Sequence, residues 1–223
     1  MPKFLVEREQ PPSLDEFLAR VARITSKRKV RPVVTRSGHR ARGPYAAYKT
    51  EKARYESLVE FSALRVLEVA SDVRTYRTHP MVLALWSGDH VMHYTPDMLV
   101  HHADSGFLLE VKATYFLTQP KVRTSLSEQI RRLRRRRLEL ALVVESDLNV
   151  AGLQDELAYL THMRPLVGRY RPALDMSAFD PLGRSIVSAA TQRRWHDAQK
   201  ECNELLARVM RRDPDDLISA ACR

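Results

Sequence analysis

Residues 94–112, YTPDMLVHHADSGFLLEVK, are the stretch that decides the fold. They include most of two β-like runs, which extend over residues 91–101 and 107–116, and the turn-forming residues at 103–106 that connect these runs. This pattern predicts a β-hairpin. Side chains two positions apart on a strand point the same way, so Glu110 and Lys112 share one face. The hairpin brings Asp97 beside them. Two carboxylates and one ammonium group are therefore expected at one end of a sheet.

This set of side chains suits phosphodiester hydrolysis with a hard cation. Carboxylate oxygens are the ligands that Mg²⁺ prefers, and Mg²⁺ retains positions for a phosphate oxygen and for water. Such a cation acidifies an attacking water and offsets the charge that develops on phosphorus. A lysine beside that water can position or deprotonate it. Asp97 and Glu110 are thus candidate metal ligands, and Lys112 is a candidate catalytic residue.

A helix upstream of the hairpin supplies further carboxylates. Residues 50–70 are apolar on nearly all sides at helical spacing, which is typical of a buried helix. Glu56 and Glu60 are four positions apart and would share one face of that helix. Because an unpaired buried carboxylate is costly, both need partners. A metal site would satisfy them, and a salt bridge to an arginine at the core edge is the alternative for Glu56.

The surrounding pattern predicts an α/β fold. Three β-like runs, at residues 74–86, 91–101 and 107–116, are joined by tight-turn sequences at 87–90 and 103–106, so they are expected to form an antiparallel meander. A helix follows, for which Ser125 and Glu128 match a capping box. Residues 138–145 then have the composition of a buried strand. The predicted order is α-β-β-β-α-β, a mixed sheet flanked by helices.

Three segments are expected along the chain. Residues 1–48 form a basic N-terminal arm with a short helix at 14–24, residues 49–163 form the core, and residues 164–223 form a helical region for partner or DNA contact. Helices are predicted near residues 154–162, 185–212 and 214–221. The apolar residues Leu205, Leu206, Val209 and Met210 predict a core or docking face.

Positive charge is concentrated in two blocks. The chain holds 37 Lys and Arg against 27 Asp and Glu, a net charge of +10. Residues 20–54 carry twelve basic residues and one acid, and residues 121–137 carry eight and one. Segregated positive charge favours a nucleic-acid partner, and the alternatives are a solubilising surface or a disordered basic tail. The candidate DNA-contacting residues are Lys27, Arg28, Lys29, Arg31, Arg36, Arg40, Arg42, Arg131, Arg132, Arg134, Arg135 and Arg136.

Composition and motifs exclude several classes of protein. The chain is 44% hydrophobic and 29% charged, and it contains no apolar run of membrane-spanning length. A charged N-terminus without an apolar segment, and only two cysteines, favour a cytoplasmic protein with no membrane partner. Walker A, G-x-S-x-G and G-x-G-x-x-G motifs are absent from the sequence. No zinc site is predicted from His79, His90, His93, His101 and His102, because they lack ligand spacing.

The PD…ExK pattern, at residues 96–97 and 110–112, resembles the PD-(D/E)XK, or restriction-endonuclease-like, nuclease superfamily. Within it, residues 55–112 resemble the N-terminal domain of TnsA, the endonuclease subunit of heteromeric transposases. The shared features are YESLVE at 55–60, LEV at 67–69, a strand ending near Pro80, YTPD at 94–97 and EVK at 110–112. Residues 150–223 show no winged-helix pattern of the kind that would support the partner-binding role.

The resemblance implies roles for individual residues. Glu60 would be the helix carboxylate of the site, with Glu56 as an accessory, and Lys112 the catalytic lysine. The implied metal ligands are Glu60, Asp97, Glu110 and Val111. The implied cofactor is Mg²⁺, with Mn²⁺ as a substitute. The implied activity is cleavage of double-stranded DNA at the 5′ ends of a transposon.

The resemblance also implies protein partners. They are a DDE transposase subunit, TnsB-like, that cuts the 3′ ends, and a AAA+ ATPase, TnsC-like. Two other functions are open on the same fold: a stand-alone restriction or repair nuclease, and a non-catalytic DNA-binding or assembly protein. Intact Asp97, Glu110 and Lys112 favour an enzyme.

Overall fold

The structure is a computed structural model that describes residues 11–30, 41–163 and 188–221. The helices are α1 (Leu14–Ile24), α2 (Leu58–Val69), α3 (Thr114–Leu117), α4 (Pro120–Arg134), α5 (Glu145–Leu148), α6 (Leu153–His162), α7 (Ala189–Arg211) and α8 (Pro214–Ala220). The strands are β1 (Gly43–Tyr45), β2 (Ala53–Tyr55), β3 (Val73–Thr78), β4 (Leu83–Ser87), β5 (His90–Tyr94), β6 (Met98–His102), β7 (Ser105–Lys112) and β8 (Leu140–Val144). In the parts of the chain thus defined, no helix is both long and apolar enough to cross a membrane.

The central sheet has four strands in the order β3-β6-β7-β8. The β3–β6 and β6–β7 pairs are antiparallel, and the β7–β8 pair is parallel. A parallel pair requires a crossover connection, and helix α4 lies within the segment that joins these two strands. The sheet is therefore mixed and flanked by helices, which confirms the predicted α/β class.

The predicted meander was wrong in one respect, because a hairpin interrupts it. Strands β4 and β5 pair only with each other, as a separate two-stranded sheet, so the runs predicted at 74–86 and 91–101 each divide into two strands. Both divisions occur at a proline, Pro80 and Pro96. A proline has no N–H to donate to a strand ladder, and His79 before the first one has a positive φ of 46°.

Two helix starts also differ from the sequence predictions. Helix α4 begins at Pro120, a residue favoured in the first turn, so the capping box at Ser125 was wrong. Helix α2 begins at Leu58, and the Ser57 hydroxyl accepts the N–H of Glu60 at 3.1 Å. Glu56 therefore precedes the helix, and its predicted shared helical face with Glu60 was wrong as well.

Two apolar cores cover the two faces of the sheet. Alternate residues of β8 point to opposite sides: Ala141 and Val143 belong to the core that contains α2, α6 and α7, whereas Leu140 and Leu142 belong to the core that contains α1 and α4. The Leu205, Leu206 and Val209 side chains of α7 are buried in the first of these cores. Of the two predictions for that face, a core or a docking surface, the structure shows the core.

Helix α1 packs against the sheet, although its sequence position placed it in the N-terminal arm. The predicted bounds and the Ser13 cap are confirmed, and its Phe17 side chain is only 2% exposed. A Cβ atom at Gly106 of β7 would lie 2.3 Å from the Phe17 ring. Only glycine at position 106 therefore allows this close packing.

Candidate active site

The carboxyl-terminal end of β7 brings three predicted residues together. The Lys112 ammonium group contacts the Glu110 carboxylate and lies 3.6 Å from Asp97 Oδ2. It also donates to the Val111 carbonyl oxygen at 3.3 Å. Alternation along β7 places Glu110 and Lys112 on one face, and antiparallel pairing of β6 with β7 places Asp97, the residue before β6, beside them. The expected gathering of two carboxylates and one ammonium group is therefore present.

Asp97 is held from two sides. Its Oδ2 accepts the Val111 N–H at 2.8 Å, and its main-chain carbonyl accepts the His79 N–H at 2.8 Å. Burial, together with the negative charges of Glu110 and Glu60, raises the pKa of Asp97 well above its usual range, although Lys112 opposes the shift. The site thus holds more negative charge than its one lysine neutralises.

Glu60 reaches the same place from the first turn of α2. Its Oε2 accepts the main-chain N–H of Glu56 at 2.8 Å, and its Oε1 accepts the Ser57 hydroxyl at 3.1 Å. Burial raises the pKa of Glu60. The hydrogen bonds from Glu56 and Ser57, and separately the electrostatic interaction with His79, offset only part of that increase. Glu56 thus contributes a main-chain donor to Glu60, from a position outside the helix.

Lys112 is a partly buried cation. Burial by itself lowers the pKa of Lys112, but the negative charges of Glu110 and Asp97 outweigh that effect and raise it. The ammonium group therefore stays charged at neutral pH in the metal-free protein. This charge favours a role in positioning and charge stabilisation over proton abstraction from water.

Tyr94 is a member of the site that the sequence analysis missed. Its hydroxyl donates to Glu110 Oε2 at 2.5 Å. Burial and the charges of Glu110 and Asp97 raise the pKa of Tyr94 well above its usual value, so the phenol keeps its proton and remains a donor. The only sequence signal was its place at the start of the YTPD segment.

His79 is the second residue that was missed. Single ligand atoms of Glu60, His79 and Asp97 all lie within 4.8 Å of one another, and this is the group of potential metal ligands found among the described residues. Glu110 is outside this group, and its two oxygens contact Lys112 and Tyr94. The available sequence signal was the position of His79, directly before Pro80 at a strand end.

The donor set fits a divalent cation. Three carboxylates, those of Glu60, Asp97 and Glu110, lie around one lysine, and burial is the main cause that raises the pKa values of Asp97 and Glu60. A cation that accepts carboxylate oxygen ligands would supply the missing positive charge. The Val111 carbonyl, a further predicted ligand, faces the Lys112 ammonium group.

The first basic block lies near this site where the structure describes it. Lys27, Arg28 and Lys29 are exposed and follow Ser26, whose N–H donates to the Val82 carbonyl at 2.7 Å. Val82 is three residues after His79, so their Cα atoms are at most about 11 Å apart. Arg42 is partly buried directly before β1. Three further predicted residues, Arg31, Arg36 and Arg40, lie outside the described residues.

The arginines at the end of α4 divide into two groups. Arg131 and Arg132 pair with Glu128, and Arg134 pairs with Asp213 and Asp215 of the α8 start at 2.6 Å. Arg132 also donates to the carbonyl oxygen of Leu85 in β4 at 2.6 Å. By contrast, two exposed residues, Arg135 and Arg136, form no ion pair with any residue in the described ranges. These last two are available to an external phosphate.

A scan against models of known protein families and a search of curated proteins found no match to this chain. The chemistry of the site therefore has to be inferred from its own geometry. That geometry is a cluster of carboxylates around one lysine, with a tyrosine and a histidine as further polar groups.

Proposed function

We propose that the protein is a divalent-metal-dependent endonuclease that hydrolyses phosphodiester bonds in double-stranded DNA. One observation carries the proposal: the buried carboxylates of Glu60 and Glu110 and the partly buried carboxylate of Asp97 gather around a single charged lysine at the end of a mixed sheet. Such a site is unfavourable without a cation. With one, it has the parts that phosphodiester hydrolysis requires.

Each side chain has a distinct role in this proposal. Glu60 and Asp97 hold the cation, which when bound would acidify a coordinated water and offset charge on the phosphate. Lys112 places a positive charge beside the reacting phosphate. Glu110 orients Lys112, and Tyr94 in turn orients Glu110 through its hydroxyl hydrogen bond.

The architecture supports a restriction-endonuclease-like core. Helix α2 precedes the antiparallel strands β3, β6 and β7, and the α4 crossover leads to the parallel strand β8. This is the order that the PD…ExK resemblance implies, with the β4–β5 hairpin as an insertion. Fold alone does not determine activity, so the proposal rests on the site.

Exposed basic residues support DNA as the substrate. Residues 27–29 follow Ser26, which is hydrogen-bonded to Val82, three residues after His79. Arg135 and Arg136 form a second exposed pair. Lysine and arginine contacts to phosphates bind DNA without reading its sequence. We expect these residues to position a duplex, and the cleavage point to be selected by a partner.

The partner in this proposal is a heteromeric transposase. The TnsA-like features of residues 55–112 support a subunit that cuts transposon 5′ ends beside a TnsB-like DDE transposase and a TnsC-like AAA+ ATPase. In that case, cleavage at the element ends requires the transposase. Equal cleavage with and without it would instead favour a stand-alone nuclease.

Nicking of supercoiled DNA with Mg²⁺ or Mn²⁺ tests the activity, with and without the transposase. We expect Asp97→Asn and Lys112→Ala each to lower the rate by at least about 10³-fold, since they remove a metal ligand and the charge-stabilising cation. Matched controls are Asp104→Asn and Lys200→Ala, which change exposed residues of the same kinds outside the two basic blocks. Both controls should cut like the wild type.

DNA binding by the four variants separates catalysis from affinity. Asp97→Asn and Lys112→Ala should still bind duplex DNA, because the exposed basic residues are unchanged. If the wild type does not cut with either metal and with every partner present, the nuclease proposal is wrong, and a DNA-binding assembly role becomes the better explanation.

A further inference from the structure

His79 adds a nitrogen donor to a site otherwise built from carboxylates. It follows strand β3, and its main-chain N–H donates to the Asp97 carbonyl at 2.8 Å. This bond fixes the residue beside Asp97. The imidazole Nε2 lies 3.7 Å from Glu60 Oε2, so the ring faces the carboxylates.

The separation of these two atoms suits a shared cation better than a direct bond. At 3.7 Å, Nε2 and Oε2 are too far apart for a hydrogen bond. Two ligand bonds of about 2.1 Å each would span up to roughly 4.2 Å through one cation. A cation between His79 and Glu60 therefore requires little movement of either side chain.

The two ring nitrogens of His79 lie in different surroundings. Nδ1 is buried and has no hydrogen-bond partner among the residues that the structure describes, whereas Nε2 faces the Glu60 carboxylate. Nε2 is therefore the nitrogen that is placed to bind a cation shared with Glu60.

We propose that His79 is a direct metal ligand and that Glu60, His79 and Asp97 together select a divalent transition metal, of the Mn²⁺ class, over Mg²⁺. Imidazole is a ligand for transition metals, whereas Mg²⁺ is bound by oxygen. The inference rests on the proposed function in that the same cation serves hydrolysis. It departs from the Mg²⁺ cofactor that the sequence resemblance implies.

Direct metal binding tests this inference without reference to cleavage. Free Mn²⁺ is measured by electron paramagnetic resonance during titration of the full chain, and Mg²⁺ is then added as a competitor. The wild type should bind Mn²⁺ at least about tenfold more tightly than Mg²⁺. His79→Gln, which offers an amide oxygen instead of a nitrogen, should lose at least about tenfold in Mn²⁺ affinity and little in Mg²⁺ affinity.

The control is His90→Gln, which changes an exposed histidine on the β4–β5 hairpin. Its affinities for both metals should equal those of the wild type. A spin-echo spectrum of Mn²⁺-loaded wild type adds a readout that needs no variant, because a coordinated imidazole gives nitrogen modulation of the echo. This signal should be present in wild type and absent in a folded His79→Gln protein.

Each outcome bears on one proposal or the other. Absence of nitrogen modulation in the wild type, or equal affinities for Mn²⁺ and Mg²⁺, overturns the role of His79, and DNA nicking with Mg²⁺ would still support the nuclease. Nitrogen modulation in a protein that never cuts DNA supports the role of His79 and contradicts the nuclease.

Discussion

Helix α2 carries two buried glutamates, and their surroundings differ in kind. Glu68, near its end, is fully buried and faces hydrogen-bond donors: the N–H groups of Tyr48 and Lys49, at 3.1–3.3 Å, and the Tyr76 hydroxyl at 2.7 Å. The Lys49 ammonium group contacts the carbonyls of Leu67 and Ala70 at the end of the same helix. Glu68 therefore ties residues 48–49 to the helix.

Glu60, near the start of the same helix, faces another carboxylate. It accepts two hydrogen bonds from its own chain segment, yet Asp97 lies within the same ligand cluster. Like charges at close range are unfavourable unless a cation joins them. The comparison shows how to distinguish the two kinds of buried acid: one surrounded by donors stabilises the fold, and one gathered with other acids is available to a metal.

Glu60→Gln should give the largest effect on function. Loss of one charged metal ligand is expected to lower the rate of DNA nicking at least about 100-fold. The metal-free variant should be as stable as wild type or slightly more so, because a carboxylate with a raised pKa has been made neutral. Nicking and urea unfolding in EDTA measure the two effects. A large loss of stability without loss of activity would show that Glu60, like Glu68, stabilises the fold and does not act in catalysis.

Glu68→Gln should give the opposite result. The amide keeps one acceptor oxygen and turns the other position into a donor, so buried N–H and O–H groups lose their partner. We expect a loss of about 2–4 kcal/mol in the free energy of unfolding and unchanged nicking by the protein that remains folded. Urea unfolding checks this. Unchanged stability would mean that the hydrogen bonds around Glu68 contribute as much to stability with an amide as with a carboxylate.

The pH dependence of stability sharpens the same contrast. Burial raises the pKa of Asp97 and of Glu60 in the folded state, so the folded protein holds protons that the unfolded chain releases above about pH 4. Their contribution is fully present below the unfolded pKa values and is lost as pH rises through the folded ones.

The metal-free wild type should therefore lose up to about 1.4 kcal/mol per pH unit from each group across that window, relative to a chain without it. Asp97→Asn should show a shallower decline. Unfolding free energies in EDTA between pH 4 and pH 8 measure the difference. Parallel curves for the two proteins would show that Asp97 has an ordinary pKa.

Two buried tyrosines give the smallest predicted difference. Tyr76 donates to Glu68, and Tyr94 donates to Glu110. Each Phe substitution removes one hydrogen bond, so both should cost about 1 kcal/mol of stability. Only Tyr94→Phe should also slow nicking, by about tenfold, because Glu110 then positions Lys112 less firmly. Equal nicking by the two variants would remove Tyr94 from the site.

Much of the secondary structure could be predicted from local sequence patterns. The helix over Leu14–Ile24, the strand Leu140–Val144 and the tail helices follow from caps, apolar periodicity and turn residues, all of which act within a few residues of one another. The position of the β4–β5 hairpin did not follow, because its two strands and the sheet strands have the same composition. Pairing with a distant strand decides between them.

The sequence by itself determined the side chains of the site that lie on one hairpin. Alternation along a strand places Glu110 with Lys112, and the tight turn places Asp97 beside them. Only the tertiary structure decided that His79 and Tyr94 join this cluster, that Asp213 and Asp215 engage Arg134, and that Glu68 is structural whereas Glu60 faces the site. These contacts join segments far apart in the chain, and no local periodicity encodes which distant groups meet once the core has packed.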